Sequence, residues 1–339
     1  MQTNANVTIK DVANLAGVAV STVSRVINNL DYVSMETRQK VLNAIDELGY
    51  VHNSIAAAMK TGKTRLIVVA VPDLINDFFH SVVQGVEEIF NQKGYYTLVF
   101  NTNELPAKEE ELFSGVFGKL VDGAILIPAV EDPHFYKQLQ IPLVLVDRTL
   151  GHIDTVVINN YKGSYLATRE LLENGHTRIA VLNGDRNRDF TIATNRYDGF
   201  LAAMSEYNVP VRDEYVRYCR WEQSSGYTAF GELMSMKEPP TAVFATNSQI
   251  GIGCMNYLRE HGLVAGKDIS LVCFDDSLMA QINQPGVTVI TRPTVEMGRM
   301  AARMLLKTLE GKPNPHNRYM LDVHLTRRNS VADIREEKQ

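Results

Sequence analysis

Polar and aromatic side chains recur in this chain just past the ends of short apolar runs. Asp77, Phe78 and Phe79 come after Leu66–Val71, and Asp147 and Arg148 close Leu143–Val146. Asn247 follows Ala242–Ala245, and Asp275 and Asp276 follow Ile269–Phe274. Carboxylates and amides hydrogen-bond hydroxyl groups, and aromatic rings stack on the faces of sugars. A set of such groups converging on one cleft suits a polyhydroxylated ligand. Any one of them alone reads as a cap or turn residue, so the weight rests on their repetition at equivalent places.

Covalent chemistry has little support. The eight histidines show no HxxxH or other ligand spacing, and there is no GxSxG. Asp275 and Asp276 are adjacent at a strand end, where neighbouring side chains diverge. Gly251-Ile-Gly253 lies inside a helical pattern and reads as close packing rather than dinucleotide binding. Ala57 to Thr64 approaches a phosphate-binding loop, but Ala57 stands where the first glycine belongs. A helix-like stretch also precedes it and a strand follows, the reverse of the order that aims backbone N–H groups at phosphates. Cys219, Cys254 and Cys273 form no CxxC pair and read as core hydrophobes of a protein kept in a reducing cytosol. No catalytic residue, metal site or cofactor is expected.

The elements that must hold the polar groups alternate. Apolar runs at Leu66–Val71, Tyr95–Phe100, Gly123–Ile127, Leu143–Val146, Thr155–Ile158, Ile179–Leu182, Ala242–Ala245, Ile269–Phe274 and Val287–Thr291 are separated by amphipathic stretches. Such alternation gives mainly parallel sheets covered on both faces. So many strands exceed one sheet, so the body is expected to be two doubly wound lobes with a ligand at the carboxyl ends of their strands.

The first fifty residues differ: three short helices, all α. Thr8 to Asp11 starts the first as a capping-box-like pair, Gly17 ends it, and Ile9, Val12, Ala13 and Ala16 share one face. The second turns Val23, Val26 and Ile27 inward and Ser21, Thr22 and Arg25 outward. The third runs from Ser34 to Gly49. Two helices joined by a three-residue turn and braced by a third form a helix-turn-helix. His52 to Arg65 has Lys60, Lys63 and Arg65 and no acid, and reads as a linker whose short helix, Ser54 to Thr61, orders only when packed on a partner.

The 339 residues carry 34 Lys/Arg against 39 Asp/Glu, a net of −5, which taken whole disfavours nucleic acid. The charge is uneven. Residues 1–65 hold seven basic and five acidic residues, a net of +2, and the remaining 274 hold 27 and 34, a net of −7. A mildly basic headpiece binds weakly and with salt dependence, so two copies acting together are expected. No apolar run reaches the roughly 20 residues that cross a bilayer, and no signal-peptide core precedes the helices.

Val7-Thr-Ile-Lys-Asp-Val-Ala13, Ala16-Gly17-Val18 and Ser21-Thr-Val-Ser-Arg-Val-Ile-Asn28 together resemble the headpiece of the lactose/galactose repressor (LacI/GalR) family. Asn53-Ser-Ile-Ala56 looks like the start of its hinge helix. Asn174-Gly-His-Thr-Arg-Ile179, Asn195-Arg-Tyr-Asp-Gly-Phe200 and Phe274-Asp-Asp276 match its body. The resemblance implies a sequence-specific DNA-binding transcriptional regulator, most often a repressor, controlled by a small effector. Its fold would be an N-terminal all-α helix-turn-helix headpiece plus an α/β body of two doubly wound lobes, periplasmic-binding-protein-like type I. It implies a headpiece at 1–50, a hinge at 51–64, a body at 65–331 and a tail at 332–339. The first lobe would take about 65–160 and 292–320, the second about 161–291 and 321–331.

The same resemblance assigns residues. Val20, Ser21 and Arg25 would read bases, Arg25 pairing with guanine and Val20 meeting a thymine methyl. Thr8, Thr22, Ser24 and Asn28 would hold phosphates. Asn53, Ala56 and Met59 would enter the minor groove, Met59 as the lever where the family usually has Leu. His52 stands where the family often has Pro, and Ala19 where it often has a capping Ser. Phe78, Phe79, Asp147, Arg196, Trp221, Asn247 and Asp275 fall on effector-contacting positions, and Ser248 replaces a common Asp. The Arg–Asp–Asn set points to a sugar or sugar derivative, and the rings leave a nucleobase open. The partners implied are double-stranded, pseudo-palindromic operator DNA, the effector and a second copy in a cytoplasmic homodimer, without a membrane. Two rivals stand: a relative whose corepressor is a phosphorylated carrier protein, and an enzyme or periplasmic-type receptor on the same body fold. The intact headpiece, the missing signal peptide and the lack of a nucleophile–base pair weigh against the second.

Overall fold

The computed structural model describes residues 7–27, 32–50, 63–115, 120–130, 132–184, 191–312 and 318–335. Asn28 and the expected hinge residues Asn53, Ala56 and Met59 lie outside them. The chain divides into two compact units, Met1–Thr64 and Arg65–Gln339.

The first unit is helical: α1 (Ile9–Ala16), α2 (Val20–Ile27) and α3 (Met35–Leu48). The Thr8 backbone N–H and hydroxyl both donate to the Asp11 carboxylate, at 2.8 and 2.7 Å, which fixes the entry to α1. Gly17 ends α1 at φ 66°, a left-handed cap that a Cβ disfavours. The Ser34 hydroxyl accepts from the Thr37 N–H and starts α3. Val12, Ala13, Val23, Val26, Val41 and Ala44 close a core between the three helices.

In the second unit β1 (Leu66–Val71), α4 (Asp77–Gln92), β2 (Tyr96–Asn101), α5 (Pro106–Ser114), β3 (Gly123–Leu126), α6 (Pro133–Gln138), β4 (Leu143–Val146) and β5 (Thr155–Ile158) come first. Next are α7 (Asn160–Glu173), β6 (Ile179–Gly184), α8 (Thr191–Glu206), β7 (Val216–Cys219), α9 (Gln223–Met234), β8 (Ala242–Ala245), α10 (Ser248–Glu260), β9 (Ser270–Phe274), α11 (Leu278–Ile282) and β10 (Thr288–Thr291). Then α12 (Thr294–Leu309), β11 (Arg318–Leu321) and β12 (His324–Thr326) follow. Two six-stranded sheets result, ordered β11-β5-β4-β3-β1-β2 and β12-β10-β9-β8-β6-β7. Every pairing is parallel except β10 with β12. The chain passes between the sheets after β5, after β10 and between β11 and β12. Each sheet with its helices forms a lobe.

A strand stands at each of the nine apolar runs. β7, β11 and β12 have no such run. Each lies at a sheet edge, half exposed, and spans only three or four residues. Central strands covered on both faces read as continuous apolar runs, whereas edge strands need not. Gly253 sits inside α10, and a Cβ there would lie 2.2 Å from the Gln223 carbonyl oxygen of α9, so the Gly251-Ile-Gly253 pattern serves helix packing. Cys219, Cys254 and Cys273 are buried free thiols in the core of the second lobe. Burial pushes the Cys219 and Cys273 thiols up, to about 11 and about 12. Among the described residues no helix is long and apolar enough to cross a membrane.

Candidate functional site

Parallel strands in both lobes point their carboxyl ends at one cavity of about 510 Å³. The segments after β1, β4, β7, β8 and β10 all reach it. Two helix caps shape the approach. Asn76 accepts from the Phe78 N–H at 3.1 Å to start α4, and Asn247 accepts from the Gln249 N–H at 2.7 Å to start α10. Asp147 after β4 and Asp275 after β9 both adopt positive φ, 68° and 75°. Few residues other than glycine tolerate that conformation, and Asp is one of them. In each lobe it turns a carboxylate off the strand end, and both carboxylates meet the same side chain.

Arg292, just after β10, joins those two carboxylates. Its Nη1 donates to Asp147 Oδ1 at 3.0 Å and its Nη2 to Asp275 Oδ2 at 2.8 Å, with Nε against Asp275 Oδ1. The guanidinium lies flat on Phe78, 3.5 Å from the ring centroid. A second cation, Arg196 of α8, is only 2% exposed. Its Nε donates to Asn160 Oδ1 at 2.8 Å, its Nη1 donates to the Thr246 carbonyl, and it stacks 3.8 Å from the Phe274 centroid. Burial, and then the like charge of Arg292, lower the Arg196 pKa to about 10, which still leaves it protonated at neutral pH. Two buried cations and two buried carboxylates balance one another.

The walls are aromatic and the rim is charged. Phe78 and Phe79 tilt against each other with centroids 5.1 Å apart. Trp221 lies on the backbone of Gly184, so close that a Cβ on that glycine would stand 2.0 Å from Cζ2. Arg148 grips Glu104 through two bonds, of 3.1 and 2.7 Å, and the Pro128 carbonyl through a third of 2.6 Å. Asp77 reaches across the lobes, its Oδ2 accepting from the Leu278 N–H at 2.9 Å.

Of the expected effector positions, Phe78, Phe79, Asp147, Arg196, Trp221 and Asn247 line the cavity. Asp275 lies behind Arg292 and meets the cavity through it. Asp276 points elsewhere, to Arg328 at 2.8 Å. Ser248 is buried off the cavity wall. Sequence reasoning missed Arg292. The signal was present, because Arg292 directly follows the run Val287–Thr291, as the other candidates follow theirs. It also missed Arg220, which follows the edge strand β7, where no apolar run marks the strand end.

The helical unit offers a second site. Val20, Ser21 and Arg25 are exposed on one face of α2, Val20 to 40%, while Val23 and Val26 on the other face are buried. An apolar tip, a hydroxyl and a guanidinium on one exposed helix face match the inventory that reads base edges. Thr8 is exposed beside the start of α1, and Thr22 and Ser24 are partly buried.

Residues 8–53 match the family described as bacterial regulatory proteins, lacI family, and residues 168–331 match a periplasmic binding protein-like domain. The HTH-type transcriptional regulator DegA of Bacillus subtilis is 34% identical over 335 residues, covering 96% of this chain and 98% of that one. The solved transcriptional regulator CelR–cellobiose complex aligns with a TM-score of 0.72 at 31% identity, over 96% of this chain and 99% of that one. The lac repressor dimer bound to operator and the anti-inducer ONPF aligns with a TM-score of 0.84 at 25% identity, over the same shares. The helix-turn-helix unit, the paired α/β lobes and these full-length likenesses agree, and the chain belongs to the lacI family of bacterial regulatory proteins.

Proposed function

We propose that this regulator represses transcription by binding double-stranded, pseudo-palindromic operator DNA as a cytoplasmic homodimer, and that a small sugar-type effector in the interlobe cleft controls its operator affinity. Val20, Ser21 and Arg25 read bases. Thr8, Thr22, Ser24 and Asn28 hold phosphates, and Asn53, Ala56 and Met59 belong to a minor-groove hinge. Phe78, Phe79, Asp147, Arg196, Trp221, Asn247 and Asp275 form the effector set. The observation that carries this reading is the meeting of strand ends from both sheets at one polar, aromatic-walled cavity, in a chain that also bears a helix-turn-helix. Relatives solved with cellobiose in one case and with operator in another support it.

A ligand gripped by both lobes binds one degree of closure better than another, and that difference in affinity is all the free energy available for control. Fluorescence anisotropy of the full chain on a duplex it selects from a random pool, with and without mono- and disaccharides, tests the reading. A shift in operator affinity of about fivefold or more supports it, which is a coupling of about 1 kcal/mol. A rise identifies a corepressor and a fall an inducer. Constant affinity across the panel refutes allosteric control.

A further inference from the structure

We propose that Arg292 sets the class of effector: it turns the floor of the cavity from a hydrogen-bond acceptor into a donor, so the group lodged there is an oxyanion, the carboxylate or phosphate of an acidic sugar. The proposal rests on the reading of the cleft as an effector site. Asp147 and Asp275 stand at equivalent strand ends in the two lobes, both in the left-handed region. Facing a cavity unopposed, two carboxylates would accept hydrogen bonds from the hydroxyls of a neutral sugar. Arg292 already takes both. The three side chains are 3%, 9% and 9% exposed, so water screens the pairs little. A hydroxyl reaching either carboxylate competes with a buried guanidinium for an oxygen whose charge is already paired, and a charge-assisted bond is stronger than the neutral bond it would form.

A guanidinium has five N–H donors and no acceptor. Two of those on Arg292 donate to the aspartates, its Nε lies against Asp275 in an ion-pair contact, and its flat face rests on Phe78. The remaining two belong to Nη1 and Nη2 of a residue on the cavity wall, and they can only donate. Arg196, lining the same floor, adds positive charge and no acceptor. At the rim, Arg220 has no ion-pair partner among the described residues, but Asp73 and Glu222 are there too. Selection therefore works at the floor through Arg292 and not through net charge.

Calorimetric titration of the full-length protein with matched sets tests this: glucose, glucuronate and glucose 6-phosphate, with the galactose and ribose counterparts. The acid members should bind about tenfold or more tighter than their neutral parent, and whether carboxylate or phosphate is tighter identifies the source of the oxyanion. Arg292→Gln frees Asp147 and Asp275 and should reverse the preference by a similar factor. Arg292→Lys keeps the charge against unfolding but loses the fork, and should abolish most of the preference. A wild-type protein that binds the neutral parent as tightly as the acid overturns the proposal and leaves the effector reading intact. An unchanged ratio in both variants overturns it equally. If no member of any set binds up to about 10 mM, weaker than ordinary small-molecule recognition, the proposal falls, and the effector reading is decided by the operator titrations with mono- and disaccharides.

Discussion

Replacing Gly184 by alanine interrogates the wall of the cleft. A Cβ there would lie 2.0 Å from Trp221 Cζ2, 2.4 Å from Cη2 and 2.6 Å from Cε2. Carbon atoms in contact sit about 3.5–4.0 Å apart, so the ring must retreat by about 1.5 Å. The backbone cannot yield instead, because Gly184 ends β6 and pairs in parallel with Cys219 of β7. Trp221 lies in the loop after β7, half-buried, and lines the cavity, so it moves into the space a ligand would occupy. Such overpacking costs about 1–3 kcal/mol, or about 2–6 °C in melting temperature for a body of this size. Trp221 is the only tryptophan among 339 residues, so intrinsic fluorescence reports on this wall alone. In Gly184→Ala the emission should shift to the red, acrylamide quenching should rise and the melting temperature should fall. Gly262→Ala is the control. Its φ of +66° strains any side chain, but nothing lies within 4 Å, so it should lose stability without altering the emission. Unchanged emission, quenching and melting temperature in Gly184→Ala would refute the close approach on which the cleft wall depends.

Three further outcomes are expected. Arg25→Ala should lower affinity for the selected duplex by about 10- to 100-fold and leave a scrambled duplex nearly unaffected, since a bidentate base contact contributes about 1–3 kcal/mol of discrimination. Equal losses on both duplexes would instead make Arg25 a phosphate contact. Asp77→Ala removes the interlobe bond to the Leu278 amide, a partly exposed contact worth about 1 kcal/mol. Hydrogen exchange at that amide should accelerate about fivefold, and an unchanged rate would show that the bond is not formed in solution. His176 is buried, with Nε2 donating to the Ala332 carbonyl and Nδ1 accepting from the Thr241 hydroxyl, and burial holds its pKa below the ordinary 6.5. The unfolded chain therefore takes up the proton first. Stability is full above pH 6.5 and declines as the pH falls from there through the folded value. His176→Gln should flatten that part of a urea-denaturation pH profile, and an identical slope would count against the assignment.

Much of the architecture is legible because strands covered on both faces must be apolar throughout. Val144, Leu145 and Val146, or Val243, Phe244 and Ala245, have no polar side to show. Arg318-Tyr-Met-Leu321 lacks that signature because β11 pairs on one side only and leaves Arg318 and Met320 in water. The left-handed turns at Asp147 and Asp275 were hidden for another reason. No glycine marks them, and aspartate is common in turns of every kind.

The largest gap concerns partnership rather than position. Strand ends in a parallel sheet must face the cleft, so residue types after each apolar run indicate which groups a ligand could meet. They do not indicate which groups have already met each other. Asp147, Asp275 and Arg292 are separated by up to 145 residues, yet they form one buried cluster. Counted singly, the two aspartates are acceptors available to sugar hydroxyls. Counted with Arg292, they belong to a buried ion-pair cluster, and the cavity wall also offers a ligand the N–H groups of a guanidinium that the aspartates leave unused. In a buried polar cluster the chemistry presented to a ligand is the remainder after internal pairing, and pairing across two lobes is fixed by the fold, not by local spacing. A ligand that takes the two N–H groups Arg292 leaves unused joins a cluster that already links Asp147 of one lobe to Asp275 of the other.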